Sequence, residues 1–324
     1  MKTKGIALIA AVLVTVPIAL FDAGQGGGTG GPTSSLSILV PGSAGGGYDS
    51  LARESQQSLR ANGISGNVQV INIPGASGTV GLQTLIEMND RDDTMLVVGS
   101  AMVGGVEITG SDVGLDDVTP IMAVTTDYPV IVLPESSPYG DATEFLSAWK
   151  ADPEGHPIGG GALGNADHLA VIALAEASGI AAEDVNYIAY SGGGEVLGSL
   201  LSGTVAAGVS GYSEISDQIE TNRVRGIGIT APERIEGIDL PTFAEAGVDV
   251  VMPNWRGFVA PPNITDEERD ALVTIVEEML QTEEWKAAVV RNDWEERVLV
   301  GDEFVAFIED QVDITQQLLE GVEK

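Results

Sequence analysis

From residue 34 onward the chain repeats one pattern: a run of four to seven mostly apolar residues, a glycine-rich stretch, then a segment whose apolar positions recur every three or four. Residues 36–40 (LSILV), 68–73, 95–98, 129–133, 185–190 and 224–230 form these runs. Short runs bounded by glycine and followed by helical periodicity predict buried strands, each leading into a helix. The first such helix carries Leu51, Ala52, Ser55 and Leu59. Others are expected over 82–88 and 143–150 and after the glycine stretches at 159–164 and 192–194. Two longer amphipathic helices are predicted at 266–281 and 302–320. Strand and helix in alternation imply parallel sheets covered by helices, an α/β architecture. The pattern falls into two sets with no low-complexity linker between them, so ordered strands must cross any domain boundary.

Composition narrows the functions open to such a fold. A chain of 324 residues with 44% apolar content can fill two cores, and with only 5% aromatic residues those cores must rest on Ala, Val, Leu and Ile. Fifteen basic against 48 acidic residues give a formal charge of −33, which repels nucleic acid and anionic lipid headgroups and excludes a polynucleotide partner. Acidity on this scale also fits a protein kept soluble by like charge in a saline habitat. There is no cysteine, and His156 and His168 are the only histidines, too few for a zinc or haem site; no cofactor is expected.

Residues 1–33 have the shape of an export segment. Lys2 and Lys4 precede an apolar stretch at 5–21, and a glycine-rich linker follows. The segment is either a cleaved signal or a retained single anchor, and no cysteine follows it to carry a lipid. The expected location is the periplasm or the outer face of the cytoplasmic membrane.

The glycine loops at 42–49, 75–81, 159–165 and 191–194 contain no Lys or Arg. A glycine loop entering a helix exposes unpaired N–H groups in front of the positive end of the helix dipole, an anion site made without side chains. Hydroxyls of Ser43, Ser77, Thr79 and Ser191 would assist, although glycines at such places also serve as plain tight turns. Enzyme patterns mostly fail: no P-loop is present, and the near match to a nucleophile elbow at 208–212 has Tyr212 where glycine is required and no later histidine. Asp167 and His168 either form an acid–base pair or cap a helix.

The segments ILVPGSAGGGYDSLAR, INIPGASGTVGL, DHLA, VNYIAYSGGGEVLGSLLSGTVAAGVSGYSE, LPTFAEAGVDV and NWRGFVAPP resemble, in order and spacing, the extracytoplasmic solute-binding proteins of tripartite tricarboxylate transporters, the Bug receptor family. The resemblance runs from about residue 37 to the C-terminus, with GGGYD, YSGGGE and NWRG closest to the tricarboxylate-receptor branch. It implies a two-lobed periplasmic-binding-protein-like α/β fold with the ligand cleft between lobes: 34–124 and 227–324 in lobe one, 125–226 in lobe two. It implies no catalysis, a small organic di- or tricarboxylate ligand, a permease of one large and one small membrane subunit as partner, and a monomer.

The resemblance places ligand contacts in lobe one on Ser43, Ala44, Gly45, Gly46, Gly47, Tyr48 and Asp49, and on Gly75, Ala76, Ser77, Gly78 and Thr79. Lobe two answers with Gly161, Ala162, Gly164 and Asn165, with His168 beside them, and with Ser191, Gly192, Gly193 and Gly194. Ser100 and Ser210 are further hydroxyl candidates. Tyr48 either lies against the ligand's carbon chain or packs on the first helix; Asp49 is expected as a helix cap, and Arg256 as a structural residue stacked with Trp255. Three function classes stand open: a transport receptor, a ligand sensor for a membrane signalling partner, and a small-carboxylate hydrolase or isomerase using Asp167 and His168.

Overall fold

The structure, a computed structural model, describes residues 31–320 and 322. The expected export segment lies outside the described residues, among which no helix is long and apolar enough to cross a membrane.

Strand and helix alternate as the pattern predicts: β1 (Leu36–Val40), α1 (Gly47–Ala61), β2 (Val68–Asn72), α2 (Thr79–Glu87), β3 (Thr94–Gly99) and α3 (Ser100–Thr109). The chain then runs through β4 (Thr119–Asp127) and β5 (Pro129–Pro134) with Tyr128 alone between them. A second series follows: α4 (Ala142–Ala151), β6 (Ile158–Gly160), α5 (Ala166–Ser178), β7 (Tyr187–Ala189), α6 (Gly193–Leu201), β8 (Ala207–Gly211), α7 (Tyr212–Glu220) and β9 (Val224–Ile229). It closes with β10 (Asn254–Ala260), α8 (Asp266–Leu280), α9 (Glu283–Arg291), β11 (Glu295–Val300) and α10 (Gly301–Leu319).

These strands form two sheets. The first has the order β11-β4-β10-β3-β1-β2, and the second β7-β6-β8-β5-β9. Parallel pairing joins β1 to β2 and β3, and β6 to β7 and β8, so the loops after these strands gather at one end of each sheet. In open α/β sheets that carboxyl end is where ligands sit. The fold is a two-lobed α/β structure with a cleft between the sheets.

Two expectations need correction. The boundary expected after residue 226 would cut β9, which pairs with β5 through Ile229. Phe243 and Val250 also pack into the second sheet's core, so the return to the first sheet comes at β10. The hydrophobic pattern also failed to announce β4, β10 and β11, which sit side by side in the first sheet. Strands β4 and β10 are buried on both faces and carry no simple alternation to read.

The first sheet is packed on both sides. Leu36, Ile38, Val97, Met122 and Phe258 face α1, α8 and α9, with Trp285 among their neighbours. Leu39, Leu96, Val98, Ala123 and Val259 face α2, α3 and α10. Alternate residues of one strand thus serve opposite layers. Helix ends are fixed locally: Asp141, Asn165, Thr265 and Thr282 accept a first-turn backbone N–H at the starts of α4, α5, α8 and α9. Phe258→Ala, at a fully buried site, should cost about 3–5 kcal/mol in chemical denaturation. Val290→Ala, at a side chain 78% exposed, should stay within about 0.5 kcal/mol.

Candidate functional site

The two carboxyl ends face each other, and glycines let them touch. A Cβ at Gly104 in α3 would occupy the place of the Gly164 carbonyl in the opposite lobe, and one at the adjacent Gly105 would run into the backbone of Ser77. One helix thereby holds a loop from each lobe. The 75–78 loop is strained: Gly75, Ala76, Ser77 and Gly78 all have positive φ, at 143°, 44°, 53° and 98°. Ala76 and Ser77 rarely adopt that region, and such geometry persists only where packing such as the Gly105 contact over-determines it.

In lobe one, the loop before α1 is tied down by Asp49. Its carboxylate accepts from Gly45 N–H at 2.8 Å, Arg53 Nε at 2.7 Å and Asn72 Nδ2 at 2.9 Å. Burial works against this charge, but the three hydrogen bonds together hold the carboxyl below its usual range. Gly46, not Asp49, occupies the cap position. The Tyr48 hydroxyl oxygen accepts from Met102 N–H at 3.0 Å, fastening α1 to the start of α3, and burial raises its pKa. Tyr48 is therefore a strut between helices. Ser100 leaves the set of ligand donors: its hydroxyl donates to Pro253 O at 2.9 Å and accepts from Trp255 N–H at 3.2 Å. Thr79 likewise donates to Ala76 O. Ser43 and Ser77 remain exposed at the cleft, as does Ala44 beside them.

Arg256 is not stacked on Trp255. Trp255 and Arg256 are neighbours on β10 and so point to opposite faces. Trp255 packs edge-on to Phe304 and Phe307, whereas the Arg256 guanidinium lies under the first residue of α1, where a Cβ on Gly47 would come 2.8 Å from Nη2. It is the only buried Lys or Arg among the described residues, at 3% exposure. Asp127, at the end of β4, sits 3.6 Å from Nη2, close enough for charge attraction and too far for a hydrogen bond. Arg256 Nη1 has no hydrogen-bond partner, and neither has Asp127 Oδ1. The ring of Trp294 lies 6.0 Å from the guanidinium.

In lobe two the glycine loops are largely satisfied from within. Gly161 N–H donates to Asp167 Oδ2 at 3.0 Å, and Gly164 N–H to His168 Nδ1 at 3.1 Å. Asn165 caps α5 by accepting from His168 N–H, and Ser191 N–H donates to Glu195 Oε2 at 2.9 Å. Gly161 O accepts from the Tyr187 hydroxyl, whose ring lies 4.6 Å from that of His168. Burial pushes His168 down to about 4, so it is a neutral, packed ring rather than an acid–base group. Ala162 and the Ser191 hydroxyl are exposed at the rim, and the first-turn N–H groups of Gly193 and Gly194 have no intrahelical acceptor. Gly192 precedes them in extended backbone. Ser210 is buried and lies 3.4 Å from Glu214 Oε2.

Charge is divided unevenly across the cleft. Helices α2 and α3 carry no acid in their first turns, and the one in α1, Asp49, is neutralised by Arg53. In lobe two, α5, α6 and α7 begin with Asp167, Glu195 and Glu214. The Glu214 side chain is open to solvent, yet protein surrounds it closely enough that burial raises its carboxyl, Arg256 opposing the shift and Asp127 adding to it. Asp167 is raised to about 7, first by burial and then by Glu214. A separate groove of about 520 Å³ lies between α3 and α10, floored by Val103, Leu115 and Ile308; its lining includes Glu107, Asp116, Glu309 and Asp313 but no Lys or Arg to receive an anion.

Two α/β lobes meet over a polar cleft that holds a buried cation, a layout shared with solute-binding receptors. The sequence profile of the tripartite tricarboxylate transporter family receptor matches residues 51–323, and the chain belongs to that family. BugT of Bordetella pertussis is 25% identical over 288 residues, covering 87% of each chain. Among solved structures, MatC from Rhodopseudomonas palustris with bound malate aligns at a TM-score of 0.74 and 19% identity, covering 89% of this chain and 100% of its own. An R. palustris protein with adipate aligns at 0.77 and 20%, covering 90% and 97%.

The Gly104–Gly164 contact gives a test of closure. Gly104→Ala should leave a folded protein whose radius of gyration in X-ray scattering exceeds that of the wild type, because the lobes cannot meet. Gly198→Ala, in α6 with open space around it, should change helix stability by about 1 kcal/mol at most and leave the radius unchanged.

Proposed function

We propose that the protein captures an organic di- or tricarboxylate between its lobes outside the cytoplasmic membrane and hands it, as a monomer, to a permease of one large and one small membrane subunit. The observation that carries this reading is Arg256 Nη1, a buried guanidinium donor without a partner, set beside the α1 N-terminus at the cleft. A ligand carboxylate would receive that donor together with first-turn N–H groups of α1, a charge-assisted arrangement worth more than neutral hydrogen bonds. Exposed hydroxyls of Ser43, Ser77 and Ser191 and the N–H groups of Gly193 and Gly194 supply further contacts. The malate and adipate complexes among the structural neighbours support a carboxylate ligand. On this reading the lobes divide near Tyr128 and again just before β10, and hinge motion there joins two half-sites that are weak when apart.

A thermal-shift screen with malate, adipate, citrate and neutral sugars tests the reading. A carboxylate at about 100 times its Kd should stabilise the protein by about 2.7 kcal/mol. Stabilisation by sugars alone would refute it. Arg256→Gln should weaken carboxylate binding by about tenfold or more in calorimetry, the loss expected for a charged hydrogen-bond donor of about 1.5–3 kcal/mol. Unchanged affinity in a folded variant would move the anion elsewhere.

A further inference from the structure

The cleft face of lobe two is more negative than an anion receptor needs, and one of its acids is buried with an oxygen to spare. Asp167 is 8% exposed. Its Oδ2 accepts from Gly161 N–H at 3.0 Å and Asn165 Nδ2 at 3.3 Å, while Oδ1 has no hydrogen-bond partner among the described residues. The charged groups that act on it are Glu214 of α7 and Asp127 at the end of β4, both acids. Arg256 acts on those two, 3.6 Å from Asp127 and opposing the shift of Glu214. Of the other titratable neighbours, His168 is neutral and Tyr187 directs its hydroxyl to Gly161 O. Ile108 of α3, Leu318 and Leu319 of α10, and Phe145 and Trp149 of α4 pack on α5 through apolar contacts, and the 182–184 turn that also packs on it carries the acids Glu183 and Asp184.

An ionised Asp167 facing Glu214 and Asp127 would repel any anion that closed the cleft over it. A protonated one supplies a donor in the same place. We propose that Asp167 is the specificity-determining residue of lobe two: as the lobes close on a carboxylate ligand it binds a proton from solvent and donates it, from Oδ1, in a hydrogen bond to a ligand oxygen. The inference rests on the carboxylate reading above. No bond of the ligand is made or broken, and the proton returns to solvent on release.

The free group, raised to about 7 by burial and Glu214, is poised to respond in the physiological range. The complex then holds more protons than the free receptor, so affinity falls as pH rises. It should be nearly flat below about pH 6 and weaken towards tenfold per pH unit above about pH 7.

Titration calorimetry of the full protein with malate and adipate, run at about pH 8 in two buffers of different ionisation enthalpy, reads the proton count directly. Uptake approaching one proton per ligand is expected. Asp167→Asn keeps an acceptor for Gly161 N–H and presents an amide donor that cannot titrate. Its affinity should be independent of pH between about 6 and 9, with no proton uptake. Wild-type capture of either dicarboxylate without proton uptake would overturn the proposal, and needs no variant. A wild-type pH slope surviving in folded Asp167→Asn would also overturn it. If none of malate, adipate and citrate binds the wild type at any pH, the carboxylate reading has failed, and this inference falls with it.

Discussion

Everything at the cleft depends on keeping one guanidinium buried where strands of the two lobes meet. In a chain of charge −33, Arg256 is held between the end of β4, through Asp127, and the start of α1, where Gly47 has no Cβ to displace it. Neither Arg256 nor Asp127 is fully satisfied within the protein. Truncating either would leave an uncompensated buried charge, so their mutual placement is a structural requirement as well as a feature of the site. Ser213, at the start of α7, donates to Asp127 at 2.6 Å and brings the second lobe into the same arrangement.

The glycine loops play two different parts around this charge. Some of their N–H groups are already taken: Gly45 by Asp49, Gly161 by Asp167, Gly164 by His168. Those loops are rigid turns braced by their own helices. At Gly104 and Gly105 the absent side chains instead allow close approach, the first to the opposite lobe and the second to the strained 75–78 loop. Closure and loop geometry are therefore coupled through α3, whose first turn is fastened to α1 by Tyr48.

An anion entering between the lobes meets donors on one side and carboxylates on the other. Helix dipoles and Arg256 favour negative charge at lobe one. At lobe two, Asp167 and Glu214 oppose it, and their raised carboxyls show that the protein itself crowds these charges. The two walls are chemically unlike although both are built from strand, loop and helix. On the proposed reading, that asymmetry, more than the shared scaffold, sets which end of a carboxylate each lobe receives.

The periodicity of short apolar runs and glycine turns was enough to read an α/β chain in two sets, because buried parallel strands and amphipathic helices leave strong local signatures. The family was legible in segments such as GGGYD and NWRG, and its profile matches residues 51–323. Strands β4 and β10 were not legible, since burial on both faces erases the alternation that marks a strand. Nor was the role of side chains at the cleft. Nothing local distinguishes Ser77, left exposed, from Ser100, held by Pro253 and Trp255 from a distant strand. Arg256 read as a partner of Trp255 because they are adjacent, and the pleat of β10 sends them to opposite faces. The sequence by itself determined the α/β class, most of the elements and the family. Only the tertiary structure decided that the Ser100 hydroxyl is taken and that the Arg256 charge is buried beside α1, because both depend on residues more than 100 positions away.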